Sequence, residues 1–153
     1  MIDELFMKEA LKQAEKAYAE NEVPIGAVIV RDGKVIARAH NERHRKQIAT
    51  RHAEMICIEK ACKKLKSWRL DDCELFVTLE PCPMCAGAAL NARLKRVVYG
   101  AKEEKGGAVE SSFSVLKSGV LNWSCETLGG VMKEECENIL KRFFAEKRNN
   151  SKN

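Results

Sequence analysis

Two short stretches of this sequence carry side chains that could bind a metal ion and move a proton. In the first, one residue separates His52 from Glu54, and the second is Pro81-Cys82-Pro83-Met84-Cys85. One imidazole and two thiolates provide three ligands of a tetrahedral zinc site and leave the fourth position for water. Glu54 is not needed as a ligand. The spacing therefore predicts Zn2+ held by His52, Cys82 and Cys85, with Glu54 as the catalytic acid and base.

Two other interpretations of the cysteine pair stay open. Cys82 and Cys85 could form a redox pair, with His52 an ordinary core histidine. A purely structural zinc site would instead need a fourth protein ligand. His40 and His44 could supply it in principle, but both lie in an irregular polar stretch. The joint occurrence of His-x-Glu and Pro-Cys-x-x-Cys favours a zinc site with one open position.

Composition predicts a single cytoplasmic domain. The 153 residues include no proline-rich or glycine-rich linker, so residues 1–148 are predicted to form one domain and residues 149–153 a disordered tail. Charges interrupt the N-terminal stretch, which predicts neither a signal peptide nor a membrane span. Seven cysteines, an odd number, favour thiols over a disulfide framework. The net charge of +5 is a modest indication of an anionic partner, polynucleotide included.

The metal-binding stretches are both predicted to lie at helix starts. Thr50 can cap a helix over 51–65, which would place His52 and Glu54 in its first turn. Two residues apart on a helix, side chains point about 200° from each other, so we expect one to reach the metal and the other to lean over the bound water. A strand over 74–79 leads to the second stretch, where Pro83 suits the first turn of another helix.

The rest of the chain alternates between strand and helix patterns. The predicted elements are a helix over 2–19, a hairpin with strands over 23–30 and 34–39, a surface loop over 40–49, strands over 96–100 and 123–128, a short helix over 111–117, and a final helix over 131–147. This order predicts an α/β fold with a five-stranded mixed sheet flanked by helices.

Residues 23–144 resemble the bacterial tRNA-specific adenosine deaminase family of the cytidine deaminase-like superfamily. Besides the metal motifs, the resemblance rests on the segments Glu22-Val23-Pro24-Ile25-Gly26-Ala27-Val28, Asn41, Val77-Thr78-Leu79-Glu80-Pro81-Cys82, Met84-Cys85-Ala86-Gly87-Ala88 and Phe143-Phe144. It implies a three-layer α/β/α cytidine deaminase-like fold. It also implies hydrolytic deamination of the wobble adenosine of tRNA to inosine, with one Zn2+ per subunit.

The resemblance further implies a homodimer and a surface for the tRNA anticodon loop. The candidate substrate-binding residues are Asn41, Val23, Ala53, Glu103, Lys105, Phe144 and Arg148. Among them Asn41 would contact the flipped nucleoside. An unstacked base needs an aromatic or apolar slot and phosphates need cations, although Phe143 and Phe144 could equally serve core or dimer packing.

Substrate scope is left open by departures from the family's usual residues at Ile48, Arg51, Glu103, Glu110 and Trp123. None of these positions is a metal ligand, and they cluster where RNA or the dimer partner is expected.

Two alternative functions remain open. A deaminase of a free base or nucleoside, such as guanine, cytosine or cytidine, would keep the metal site without needing a basic final helix. A non-catalytic zinc-stabilised RNA-binding module would not need Glu54.

Overall fold

The computed structural model of this protein describes residues 2–151, which form five strands and five α-helices. The strands are β1 (Gly26–Arg31), β2 (Lys34–His40), β3 (Cys73–Leu79), β4 (Arg96–Ala101) and β5 (Glu126–Leu128). The helices are α1 (Ile2–Ala19), α2 (Arg43–Lys46), α3 (Ala53–Leu65), α4 (Pro83–Asn91) and α5 (Lys133–Ser151), with a 3-10 turn at Val120–Asn122. None of the helices within residues 2–151 has the length and apolar character that crossing a bilayer requires.

The strands form one mixed sheet in the order β2-β1-β3-β4-β5. Strand β1 is antiparallel to β2 and β3, whereas β3, β4 and β5 are parallel. Asp32 and Gly33 join β1 to β2 with positive φ angles of 50° and 73°, as a two-residue hairpin turn requires. The predicted hairpin and the predicted five-stranded mixed sheet are confirmed.

Helices cover both faces of this sheet. On one face, Val28 of β1 and Cys136 of α5 belong to a buried cluster that also takes in α1. On the other face, Ile29 packs in a larger cluster with Ile56 of α3 and Leu90 of α4. Neighbouring residues of β1 thus point into different cores, which explains why the strand is apolar throughout. The predicted three-layer α/β/α arrangement is confirmed.

The start of α3 differs from the prediction. The helix begins two residues later than expected, Thr50 does not cap it, and His52 is the N-cap residue with an extended backbone (φ −76°, ψ 151°). The helix does not start at Arg51 because the residues before it form turns, in which Arg51 donates to the Ile48 carbonyl at 3.1 Å and His52 to the Thr50 carbonyl at 2.8 Å. The Arg51 carbonyl accepts the backbone N–H of Glu42 at 3.0 Å. The helical period therefore does not fix the angle between the side chains of His52 and Glu54.

Two predictions about short segments were wrong. The stretch 40–49 is not a plain loop, since it contains α2. The stretch 111–117 contains no helix within the described structure, because its amides bond to other parts of the chain. Ser112 donates to the Gly107 carbonyl at 3.0 Å and Val115 to the Ala108 carbonyl at 2.9 Å.

The final helix is longer than predicted. It extends to Ser151, so residues 149–151 are helical and not part of a disordered tail. The sequence contains no glycine or proline after Gly130 that would end the helix earlier. The last two residues of the predicted tail, 152–153, lie outside the described residues.

Candidate active site

The two predicted metal-binding stretches meet at the starts of α3 and α4. The Nδ1 atom of His52 lies 3.7 Å from Sγ of Cys82 and 3.6 Å from Sγ of Cys85. Nitrogen and sulfur ligands of one tetrahedral zinc ion stand about 3.6 Å apart, given bonds of about 2.05 and 2.3 Å. The three donors thus fit zinc as they stand. Within the described residues, neither His40 nor His44 joins this group.

The start of α4 favours the thiolate form of Cys82. Cys82 is its N-cap residue and Pro83 its first residue, as predicted, so both ligands lie near free amide groups and the positive end of the helix dipole. The hydrogen bond from Cys85 lowers the pKa of the Cys82 thiol to about 4, against the opposing effect of burial and with the help of His52. A thiolate at neutral pH is the form that binds a metal ion.

Glu54 lies buried beside the ligands, with 4% of its surface exposed. Burial raises the pKa of its carboxyl above the ordinary value, and the neighbouring His52 opposes that shift only in part. Glu54 also lines the same cavity as His52 and Cys82. A carboxyl with a raised pKa can take up and return a proton near neutral pH.

A cavity of about 770 Å³ opens onto these groups. Its lining includes five of the predicted substrate-binding residues, namely Val23, Asn41, Ala53, Glu103 and Phe144. The other two, Lys105 and Arg148, belong to the described structure but not to this lining. The side chain of Asn41 is held in place, since its Nδ2 donates to the Val23 carbonyl at 3.3 Å and its Oδ1 accepts the backbone N–H of Arg43 at 3.2 Å.

The adjacent aromatic residues in the middle of α5, Phe143 and Phe144, occupy different environments. Phe143 is buried and packs edge-on against Tyr18 of α1, with ring centroids 5.6 Å apart. Phe144 is 44% exposed and lines the cavity. The first therefore serves the core, while the second remains accessible to a ligand.

Two buried carboxylates, for which the sequence predicted no role in the site, bind segments of the cavity wall. Glu22 and Glu80 are each 2% exposed. Glu22 accepts the backbone N–H groups of His44, at 3.0 Å, and Arg45, which explains why a helix forms in the stretch predicted to be a loop. The sequence signal for Glu80 is its position between an apolar strand and the metal motif. A carboxylate buried at that position needs hydrogen-bond donors, which indicates that another part of the chain binds it.

Two of the residues that depart from the resembled family, Arg51 and Glu110, make contacts near the cavity. Arg51 pairs with Glu42 at 3.1 Å and with Glu59 at 3.4 Å, and so ties the segment before α3 to that helix. Glu110 accepts a hydrogen bond from the Tyr99 hydroxyl of β4. These two departures thus make structural contacts beside the cavity.

Comparison with known proteins places the chain among deaminases. Residues 1–148 match the profile of the MafB19-like deaminase family. A tRNA-specific adenosine deaminase of Bacillus subtilis (strain 168) is 50% identical over 150 residues, covering 98% of this chain and 93% of the relative. A structure from a study of A-to-I editing by tRNA:A34 deaminases at the wobble position is 43% identical, with a TM-score of 0.85, and spans 89% of this chain and 99% of that one. A guanine deaminase structure from Bacillus subtilis is 44% identical, with a TM-score of 0.64, and spans 72% and 70%.

The ligand group predicts one zinc ion per chain. The change Cys85→Ala removes one of the three ligands, so dialysis against a chelator should strip the variant of zinc, as measured by atomic absorption. The matched control is Cys62→Ser, which changes a cysteine outside the ligand group and should keep its zinc. Full zinc retention by Cys85→Ala under the same dialysis would contradict the assignment.

Proposed function

Because this chain belongs to the MafB19-like deaminase family and the tRNA-specific adenosine deaminases are among its relatives, we propose that it deaminates the wobble adenosine of tRNA to inosine. The observation that carries the proposal is the placement of one buried carboxyl, Glu54, beside the zinc-type group of His52, Cys82 and Cys85 on a single cavity. The cavity volume lies within the range of small-molecule sites.

Glu54 is the proton carrier in this proposal. When bound, zinc supplies an activated water at neutral pH. Glu54 would accept one proton from the water as its oxygen adds to C6 of adenine and would deliver that proton to N1. It would then move the second proton from the new C6 hydroxyl group to the exocyclic amine, so that the C6–N bond breaks and ammonia leaves. Adenosine and water thus give inosine and ammonia. The raised pKa of Glu54 suits a group that must both accept and release protons.

The cavity wall supports recognition of a nucleoside extruded from RNA. Asn41 is the proposed contact to the flipped nucleoside, because its amide is oriented by backbone groups and faces the cavity beside Val23 and Ala53. Phe144, exposed on the lining, can stack on an unpaired base. Glu103, which also lines the cavity, completes the proposed contacts.

Basic residues around the cavity favour a polynucleotide over a free base. Arg43 and Lys102 lie on its lining, and α2 presents exposed Arg45 and Lys46 next to it. Cations of this kind bind phosphates of an anticodon loop, whereas a neutral base does not require them. We place Lys105 and Arg148 farther out, against nucleotides that flank the extruded one.

Deamination of guanine is the second candidate, favoured by the similarity to the guanine deaminase structure. That similarity spans less of both chains than the similarity to the tRNA deaminases. A purely structural RNA-binding module is disfavoured, because such a protein would not need a carboxyl buried at the metal ligands. The basic rim leads us to prefer tRNA.

The proposed assembly is a cytoplasmic homodimer of one-domain subunits, each spanning residues 1–148. Several large apolar side chains are exposed, among them Trp68, Phe113, Val120 and Leu121. Where such side chains lie together, they are typical of protein–protein contacts. They support a second copy of the chain as the partner.

The change Glu54→Gln tests the mechanism while keeping the size of the side chain. Loss of the proton carrier should lower kcat for inosine formation on an anticodon stem-loop by at least about 100-fold. Zinc content should stay at the wild-type level, which separates loss of chemistry from loss of metal. The control is Glu134→Gln, an exposed glutamate in the first turn of α5. Wild-type kcat in Glu54→Gln would refute the role of the carboxyl.

Salt dependence tests the proposed RNA surface. The changes Lys105→Glu and Arg148→Glu should each weaken stem-loop binding and reduce the slope of log affinity against log salt concentration by about 0.7 per lost phosphate contact. Filter binding over a series of salt concentrations measures both effects. Lys64→Glu, at the opposite end of α3 from His52, is the control. Unchanged slopes in both variants would exclude phosphate contacts at these residues.

A further inference from the structure

Glu80 accepts an unusual concentration of hydrogen bonds from one wall of the cavity. Its Oε1 atom accepts the backbone N–H of Glu103 at 3.1 Å, and its Oε2 atom accepts those of Val109, Glu110 and Ser111 at 3.1, 2.8 and 2.9 Å. The Ser111 hydroxyl also donates to Oε1. One carboxylate thus accepts hydrogen bonds from both ends of the segment 103–111.

The fit between Glu80 and this segment is close. A Cβ atom added at Gly107 would stand 2.4 Å from Cδ of Glu80 and 2.5 Å from the carbonyl oxygen of Glu103. The same addition at Gly106 would meet nothing nearer than 3.9 Å. Glycine is therefore required at the first position and not at the second, which shows that the segment packs directly against the carboxylate.

The segment is fastened next to a metal ligand. The backbone N–H of Ala108 donates to the Pro81 carbonyl at 2.8 Å, between Glu80 and Cys82. Glu103, whose amide Glu80 holds, lines the cavity. The backbone N–H of Lys105 in turn donates to the Glu103 carboxylate at 3.2 Å. A displacement of the segment would thus move both proposed substrate contacts relative to the metal site.

We infer that Glu80 is a positioning residue for substrate binding, because its buried carboxylate sets the place of Glu103 and Lys105 at the rim of the active site. The inference rests on the proposed function only for the identity of the substrate. Glu80 does not touch the reacting atoms and acts through the segment that it holds. Its loss should therefore weaken binding of the RNA more than it slows the chemical step.

Two independent changes disturb this contact. Glu80→Gln removes the charge and places an amide group among donors, whereas Gly107→Ala keeps the carboxylate and forces the segment away from it. Gly106→Ala is the matched control for the second change. If either variant fails to fold, the other still tests the inference.

Three measurements on the zinc-loaded full chain are compared between wild type and variants. In Glu80→Gln and Gly107→Ala, KM for the anticodon stem-loop should rise about tenfold while kcat changes by less than about threefold. Hydrogen exchange of the 103–111 amides should become faster, and zinc content should stay unchanged. Gly106→Ala should match wild type in all three.

Two results would overturn the inference. One is faster exchange with an unchanged KM, because the segment would then be held by Glu80 without positioning the substrate. The other is loss of zinc or of kcat at constant KM, because Glu80 would then act on the metal site. Failure of the wild type to deaminate the stem-loop would instead refute the proposed function. In that case the same variants are compared on the base that the wild type accepts.

Discussion

A carboxylate can stay buried only if donors surround it or if its pKa rises, and the glutamates around this cavity meet that constraint in both ways. Hydrogen bonds from Glu110 and Ser111 outweigh the effect of burial on Glu80 and lower the pKa of its carboxyl. For Glu54 burial prevails and raises the pKa. The two glutamates therefore have different roles. Glu80 stays ionised and binds a cavity wall, whereas Glu54 is suited to proton transfer.

Three adjacent residues after β3 bind a cavity wall and supply a metal ligand. Glu80 and Pro81 bind the segment 103–111, and Cys82 supplies a metal ligand at the start of α4. On the other side of the cavity, Glu22 holds α2 in the same manner. One wall of the cavity and the ligand Cys82 are thus both attached at the end of β3, which keeps the proposed contacts Glu103 and Lys105 next to the metal site.

Features that depend on local spacing could be predicted from the sequence. The hairpin at Asp32-Gly33 and the helix starting at Pro83 depend on neighbouring residues, and the structure confirms them. The three metal ligands could be predicted although His52 lies 30 and 33 positions from Cys82 and Cys85, because the two motifs that contain them occur together in the sequence. Other features that depend on distant partners could not. Helix α2 forms because its amides meet Glu22 across 22 positions of the chain, and Ser111 bonds to Glu80 across 31. Neither pairing leaves a periodic pattern.

The central claim is that the cavity accepts adenosine from a tRNA anticodon loop. The most direct measurement compares kcat/KM of the zinc-loaded protein on an anticodon stem-loop with adenosine at the wobble position, on single-stranded DNA of the same sequence, and on free adenosine, cytidine and guanine. The account predicts that the stem-loop is deaminated to inosine with the highest kcat/KM. A higher kcat/KM for guanine or for a free nucleoside would contradict it.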